Sequence, residues 1–203
     1  MIDRRRDVLR IRVELTGILP PIWRELLVPG AYSFWDLHVA IQDSMGWLDY
    51  HLHEFRFRGP QRGNDVLIGI PSDESWEDSP EVQPGWEMPV TGYLSKPGDQ
   101  AEYEYDFGDG WLHGVKLISV QPRLMGTRHP QCVAGERACP PEDCGGIHGY
   151  QELLEALFDP AHPDHTSMSR WIPKGWGPEL FSPAKVRFDN PRRRWERAFL
   201  SDD

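Results

Sequence analysis

The sequence predicts an α+β fold with a mostly antiparallel sheet of five or six strands and helices packed on one face. Alternating apolar and polar residues, joined by tight turns, predict two hairpins. Apolar residues at helical spacing predict helices in separate segments. At 203 residues, one domain of this kind buries roughly 70% of the surface that its unfolded chain exposes, so no disulfide or metal is needed simply to fold it.

The N-terminal part predicts a hairpin followed by a helix. Residues 9–15 alternate apolar with polar side chains, and after a turn at Pro20-Pro21 the chain returns as a strand over residues 22–28. Ser33 and Asp36 have the spacing of a capping box. A helix is therefore predicted over residues 34–45, and Gly46 stands where a C-terminal glycine cap belongs.

The middle of the chain predicts a third strand over residues 51–58, with His51 and His53 on the same face. Residues 59–98 are rich in Pro, Gly, Asp and Glu and predict a long irregular insertion with one short strand near 66–70. A second hairpin is predicted over residues 101–120, because Gly108-Asp109-Gly110 is a strong turn signal.

The C-terminal third predicts three helices and a short strand. After an irregular stretch, an apolar stripe over residues 150–158 predicts a helix, and a shorter helix is expected near 163–172. A strand is predicted near 185–188. A last helix follows Asn190, an N-cap residue before proline. We expect all of residues 1–203 to form a single domain.

Charge and composition narrow the function classes. The net charge of −10, from 22 basic and 32 acidic residues, argues against a general grip on nucleic acid, which needs Lys and Arg to neutralise phosphates. Two arginine clusters keep that alternative open if the termini meet. They are Arg4, Arg5, Arg6, Arg10 and Arg12 at one end, and Arg192, Arg193, Arg194 and Arg197 at the other.

Neither a bilayer-spanning apolar run nor a signal-type N-terminus is seen in the sequence, so we expect a cytoplasmic protein without a membrane partner. Its three cysteines are too few for a disulfide framework. With one histidine they form a candidate zinc site, since three thiolates and an imidazole are a tetrahedral ligand set. The set is Cys132, Cys139, Cys144 and His148. The alternative is that Cys132 and Cys139 are small buried side chains and that Cys144 lies in a glycine turn.

A second candidate site contains imidazoles and carboxylates that the predicted strands bring near one glycine turn. Such groups suit a divalent metal that activates water, or a general acid and base. The candidate catalytic residues are His51, His53, Asp106, Asp109 and His113, joined by Glu142 or Asp143. Structural roles are the alternative, with Asp109 bonding turn amides, Asp106 pairing with an arginine, and His113 lying in the core.

Aromatic residues are abundant, with nine Trp, eight Phe and six Tyr. Most of them must be core, but four tryptophans lie in polar segments rich in Gly and Pro, where they indicate either a binding groove or loops folded back on the core. These are Trp76, Trp86, Trp171 and Trp176.

Several longer motifs are specific enough to indicate a family. They are Pro21-Ile22-Trp23-Arg24, Gly46-Trp47, His51 to Phe55, Tyr105 to Asp109 with Trp111 and His113, Gly135 to Gly146, Gly149-Tyr150, and Asp159-Pro160. Through them the chain resembles, over roughly Leu9 to Leu200, the plasmid ORF-3-like family, named from a root-inducing plasmid and often labelled TnpR-type passenger proteins of insertion elements. The resemblance implies an α+β fold and an association with mobile elements, and it transfers no catalytic residue.

Three functions remain in competition at this point. The loop tryptophans, together with the absence of nucleotide-binding and hydrolase motifs, favour a non-enzymatic binding or accessory module with a protein or peptide partner. The histidine and aspartate cluster favours a metal-dependent hydrolase acting on a phosphoester or a similar polar substrate. The arginine clusters favour nucleic-acid binding.

Overall fold

The sheet of this protein has eight strands within residues 2–60, 64–71 and 81–200, which the computed structural model describes. The strands are β1 (Asp7–Leu15), β2 (Trp23–Pro29), β3 (His53–Phe57), β4 (Val66–Gly69), β5 (Val82–Pro84), β6 (Gln100–Tyr105), β7 (Trp111–Pro122) and β8 (Gln131–Glu136). Their order is β5-β4-β3-β6-β7-β1-β2-β8. Every pair is antiparallel except β4 with β5. The mostly antiparallel α+β fold is confirmed.

Four α-helices accompany the sheet in the described residues: α1 (Phe34–Met45), α2 (Gly146–Phe158), α3 (His165–Trp171) and α4 (Pro191–Phe199). The capping box of α1 is present, because the Asp36 N–H donates to Ser33 Oγ (3.2 Å) and the Ser33 N–H donates to Asp36 Oδ2 (2.8 Å). Gly46 ends α1 with a φ of 89°, a conformation that glycine adopts without strain. Placement of the helices on one face stays a prediction.

The predicted count of five or six strands is wrong, because β5 and β8 have no strand pattern. β5 is three residues long and ends in proline. β8 lies at the sheet edge beside β2, and its burial does not alternate, so period-two reasoning misses it. The strand predicted near 185–188 is also absent from the described structure. A 3₁₀ turn over Pro183–Lys185 includes the first residue of the predicted strand, and proline favours such a helical start.

The core lies where β1, β2 and β7 meet the apolar face of α1. Leu9, Ile11 and Val13 of β1 are fully buried, as their alternation predicts. The α1 residue Phe34 packs its ring 5.0 Å from that of Phe55 in β3. Each large apolar side chain buried in this way contributes about 1.5–3 kcal/mol to folding.

Helices able to cross a bilayer are not found in the part of the chain that the structure describes; each is too short or too polar for that.

Candidate functional site

Two aspartates shape the β6–β7 turn and connect it to the next loop. Asp106 has a φ of 57°, and its Oδ1 accepts hydrogen bonds from the N–H groups of Gly108 (2.9 Å) and Asp109 (3.3 Å). The Asp109 Oδ2 instead accepts the N–H of Gly145 (3.2 Å). The turn role expected for Asp109 thus belongs to Asp106, and Asp109 links the hairpin to the loop 139–146, which lies beside it.

His51 meets Asp106 and Asp143 at this end of the sheet. Its Nε2 lies 2.9 Å from Asp143 Oδ1 and 3.6 Å from Asp106 Oδ2. These three ligand atoms all lie within 4.8 Å of one another, and no other three His, Cys, Asp or Glu residues among the described positions do so. We call the three the triad site. Of the candidate catalytic residues, the structure therefore brings together His51 and Asp106, with Asp143 as the third member.

A tyrosine and a glutamate hold the segments that carry the triad site. The Tyr105 hydroxyl donates to Glu142 Oε1 (2.7 Å) and accepts the N–H of Tyr50 (3.1 Å). Leu48 donates its N–H to the same glutamate oxygen (3.1 Å). Burial and the neighbouring Glu142 raise the pKa of Tyr105, so its hydroxyl stays a donor. The segment 48–52 is thereby fixed against the loop containing Asp143.

His53 lies in the core, apart from His51. β3 begins at His53, so the two histidines do not share a strand face as expected. The His53 ring stacks on His38 with centroids 3.4 Å apart and an interplanar angle of 7°. Neither ring nitrogen has a hydrogen-bond partner in the described structure. Burial, with a smaller contribution from His38, lowers the pKa of His53 well below its usual value, so this imidazole is neutral.

His113 also lies in the core, which was the structural alternative to a catalytic role for this residue. It is fully buried, and its Nδ1 lies 3.2 Å from the backbone oxygen of Tyr103. Burial is the main cause that lowers the pKa of His113 to about 4. His53 and His113 therefore flank Tyr103 inside the protein and take no part in the triad site.

His38 is a polar core residue that sequence reasoning missed. Its Nδ1 lies 2.8 Å from the Tyr103 hydroxyl, and its Nε2 lies 2.8 Å from Asp49 Oδ1. Gln42 Nε2 also donates to the Tyr103 hydroxyl (2.9 Å). Its position in the sequence could have revealed this, because His38 follows Phe34 by four residues and therefore lies on the apolar face of α1.

The candidate zinc residues do not converge in this structure. No three of Cys132, Cys139, Cys144 and His148 have ligand atoms within 4.8 Å of one another. Burial raises the pKa of the Cys139 thiol, and it raises that of Cys144 to about 12. His148 is exposed and lies 3.5 Å from Glu152 on α2. Cys139 is buried, as the alternative interpretation expected, whereas Cys132 and Cys144 are half-buried.

A cleft of about 870 Å³ opens next to the triad site, between the end of α1, the loop 138–143 and the segment 171–186. Trp171, Leu48 and Leu180 are 46%, 61% and 64% exposed at its lining. Trp176 is half-buried and donates its indole N–H to the backbone oxygen of Cys139 (2.9 Å). We call this surface the tryptophan cleft. It is mostly apolar, because three tryptophans (Trp47, Trp171 and Trp176), two leucines and several prolines line it.

Arg24 is a lining residue of this cleft that our candidate sites missed. The buried guanidinium donates from Nε to the Ser44 oxygen (2.8 Å) and from Nη1 to the oxygens of Trp23 (2.8 Å) and Glu136 (2.9 Å). The guanidinium carbon Cζ of Arg24 also lies over the ring of Phe181, 3.6 Å from its centroid. Arg24 thereby joins the end of α1, β8 and the C-terminal segment.

Trp86, another of these loop tryptophans, is not among the residues that line the cleft. Trp86 packs on Trp195 and Phe199, with ring centroids 6.1 and 5.4 Å apart, so this loop folds back onto α4. Trp76 lies outside the described residues. Of the four tryptophans selected from sequence, two line a groove and one supports the folded-back interpretation.

The two arginine clusters do meet, but many of their charges are paired. Arg4 and Arg192 line one small cleft together with Asp36 and Glu87. Other members form ion pairs: Arg10 with Glu25, Arg12 with Glu14, Arg194 with Asp43, and Arg197 with Asp189. A guanidinium paired with a carboxylate is a poor phosphate ligand, so the meeting of the termini does not create a strongly basic surface.

Comparison with known proteins decides the family. The family model described as plasmid pRiA4b ORF-3-like protein matches residues 7–185. The chain belongs to this family. The match includes all eight strands and the triad site, and α4 follows the matched range. The family resemblance seen in the sequence is thus confirmed, and the TnpR-type label stays untested.

Two further comparisons, one by sequence and one by structure, found similar proteins. The chain is 38% identical over 165 residues to the uncharacterized protein y4hQ of Sinorhizobium fredii (strain NBRC 101917 / NGR234), covering 81% of this chain and 80% of that protein. It is also similar to the crystal structure of MM3350, a protein of unknown function from Methanosarcina mazei Go1. That match has 39% identity and a TM-score of 0.79, and covers 90% of this chain and 99% of the other. The description of neither protein names an activity.

Proposed function

We propose that this protein is a non-enzymatic binding module that holds a short apolar peptide segment in the tryptophan cleft. The observation that supports it is the half-exposed Trp171 on a cleft of about 870 Å³, a size typical of ligand sites. The Trp171 indole N–H makes no hydrogen bond within the described residues, so it is available to a ligand. Exposed tryptophan in an apolar groove is a common anchor for a partner.

Charge narrows the peptide that this cleft would take. Three acidic residues, Asp43, Glu142 and Asp143, and two basic ones, Arg24 and Lys185, are among the lining residues, and the whole protein has a net charge of −10. A segment with apolar side chains and one flanking lysine or arginine complements both features. Complementary charge raises the association rate and fixes the orientation of the bound segment.

The larger depression of about 1070 Å³ on the sheet face is a weaker candidate. Its lining includes Arg12, Arg56 and Arg58, each of which forms an ion pair, with Glu14, Glu54 and Glu102 respectively. Arginines that already pair with glutamates of the same surface offer a ligand little additional binding energy. A solvated outer face is the ordinary state of an antiparallel sheet.

The other two functions lose support from the same structure. A hydrolase that uses His53 and His113 would have to reach two residues enclosed in the core. Nucleic-acid binding by the arginine clusters would have to break ion pairs with carboxylates. An accessory role in a mobile element stays a prediction that the plasmid-derived family description suggests.

Selection from a random peptide library tests the binding module. The selection uses tag-free protein in EDTA, and the best peptide is then titrated by fluorescence anisotropy. We expect Trp171→Ala and Leu180→Ala each to weaken its binding at least tenfold, about 1.4 kcal/mol. Leu124→Ala removes another exposed leucine, one outside the cleft lining, and should leave affinity unchanged. Equal melting temperatures establish that the variants fold.

Two outcomes would overturn the proposal. A library that yields no peptide above background would show that the cleft does not bind this class of ligand. Peptides that bind both cleft variants as tightly as the original protein would place the binding surface elsewhere.

A further inference from the structure

The triad site combines one imidazole nitrogen and two carboxylate oxygens from three separate segments. His51 lies before β3, Asp106 directly follows β6, and Asp143 lies in the loop before α2. We propose that this site binds one divalent transition-metal cation, Zn²⁺ or Mn²⁺, through His51 Nε2 and one oxygen each of Asp106 and Asp143. Imidazole favours such cations over Mg²⁺ and Ca²⁺, and carboxylates suit both Zn²⁺ and Mn²⁺.

The distances between the donor atoms fit a shared ion. Ligands about 2.0–2.2 Å from a metal, at the angles of an octahedron or tetrahedron, lie roughly 2.8–3.6 Å from one another. The observed separations from His51 Nε2 are 2.9 Å to Asp143 Oδ1 and 3.6 Å to Asp106 Oδ2. The two carboxylate oxygens lie within 4.8 Å of each other, so binding would require side-chain adjustment and no movement of the backbone segments.

One carboxylate oxygen of Asp106 faces His51 without forming a hydrogen bond to it. The residue is only 7% exposed, and its Oδ1 is occupied by the N–H groups of Gly108 and Asp109. Its Oδ2 points at His51 yet accepts no hydrogen bond within the described structure, since 3.6 Å is too long for one. On a residue this nearly buried, an oxygen without a donor from the protein is a favourable contact for a cation.

An ion pair between His51 and the two aspartates does not balance the charge of the triad site. One Nε2–H can donate well to only one of the two carboxylates, and it faces Asp143. A protonated His51 would still leave one net negative charge on the three groups. A divalent cation with neutral His51 would balance both aspartates.

The surroundings hold the three ligands in place before a cation binds. The Asp106 N–H donates to the Leu52 oxygen (2.9 Å), and the Tyr105–Glu142 hydrogen bond connects β6 with the loop of Asp143. Fixed second-layer contacts of this kind support metal affinity. Three protein ligands also leave coordination positions open to water or to an oxygen donor, and Asp143 lies on the lining of the tryptophan cleft.

Zinc titration of tag-free, EDTA-treated full-length protein against a chromophoric chelator tests the proposal, with Mn²⁺ paramagnetic resonance as a second probe. We expect about one cation per chain and at least tenfold weaker binding for His51→Gln and Asp143→Asn. Both variants keep the turn bonds of Asp106, and asparagine tolerates the positive φ of Asp143. His148→Gln, an exposed histidine away from the triad site, is the matched control and should bind as the original protein does.

The proposal is overturned if no stoichiometric cation binds, or if His51→Gln binds it as tightly as the original protein. Zinc retained in that variant with the thiols protected from a thiol reagent would assign the metal to the cysteines, which also contradicts the proposal. The result is separate from the peptide experiment, which is performed in EDTA.

Discussion

At the scale of single residues, the buried histidines make folding stability depend on pH. The pKa of His113 is about 4 in the folded protein against 6.5 ordinarily. Between those pH values the unfolded chain binds more protons than the folded chain, so the free energy of unfolding falls as the pH decreases. From pH 7.5 to pH 5 we expect His113 to account for a loss of about 2 kcal/mol. His53 acts in the same direction.

Urea unfolding of the original protein and His113→Gln at several pH values checks this expectation. The variant should lose about 2 kcal/mol less than the original protein over that interval. The comparison is needed because burial raises the pKa of Asp36 and Asp43, which opposes the effect of the histidines. Parallel stability curves for the two proteins would refute a neutral, buried His113.

His51 and His53 show what the sequence leaves open at this scale. Their spacing predicts one shared strand face, but β3 starts at His53, and a strand boundary is hard to place within two residues. His51 reaches the surface beside Asp143, while His53 stacks inside on His38. Local pattern predicted a cluster of histidines and aspartates, and tertiary packing decides which of these residues meet.

At the scale of elements, the start of α1 was predictable because its signal is local. Ser33 and Asp36 form both bonds of the capping box. Ser33→Ala should lower the free energy of unfolding by about 1 kcal/mol, because the N–H of Asp36 loses its acceptor. Urea unfolding measures this. Ser182→Ala, at a 3₁₀ turn without a side-chain capping bond, is the control, and an equal loss there would contradict the capping role.

Arg194 is the residue of α4 that pairs with buried carboxylates of the domain, beside the aromatic contacts of Trp195 and Phe199. Arg194 Nη2 lies 2.7 Å from Asp43 Oδ1, and its Nη1 lies 3.5 Å from Asp49 Oδ2. Arg194→Met leaves these nearly buried carboxylates without their cation, so we expect a loss of roughly 3 kcal/mol in the free energy of unfolding.

Arg192→Met is the matched control, because Arg192 is exposed and, among the described residues, pairs only with Glu196 one turn along α4. It should change stability by less than about 0.5 kcal/mol. Thermal or urea unfolding of both variants compares them. Similar losses for the two would mean that α4 is not held by the Arg194 ion pairs.

At the scale of the whole molecule, the tryptophan cleft and the triad site are both assembled from segments far apart in the chain. The cleft joins Leu48, the loop 138–143 and Trp171 to Val186. Exposed Trp171 was recognisable from its polar, Gly-rich surroundings, but no sequence pattern places Leu48 opposite it. Edge strand β8 likewise follows from its pairing with β2, a long-range contact that periodicity does not encode.

The measurement that tests the central claim most directly is a ¹H–¹⁵N correlation spectrum of the labelled protein titrated with the selected peptide. Binding in the tryptophan cleft predicts shifts at the indole N–H groups of Trp171 and Trp176 and at the amide of Leu48. Shifts confined to the sheet face around Arg12 and Arg56, with the cleft signals unchanged, would contradict the account.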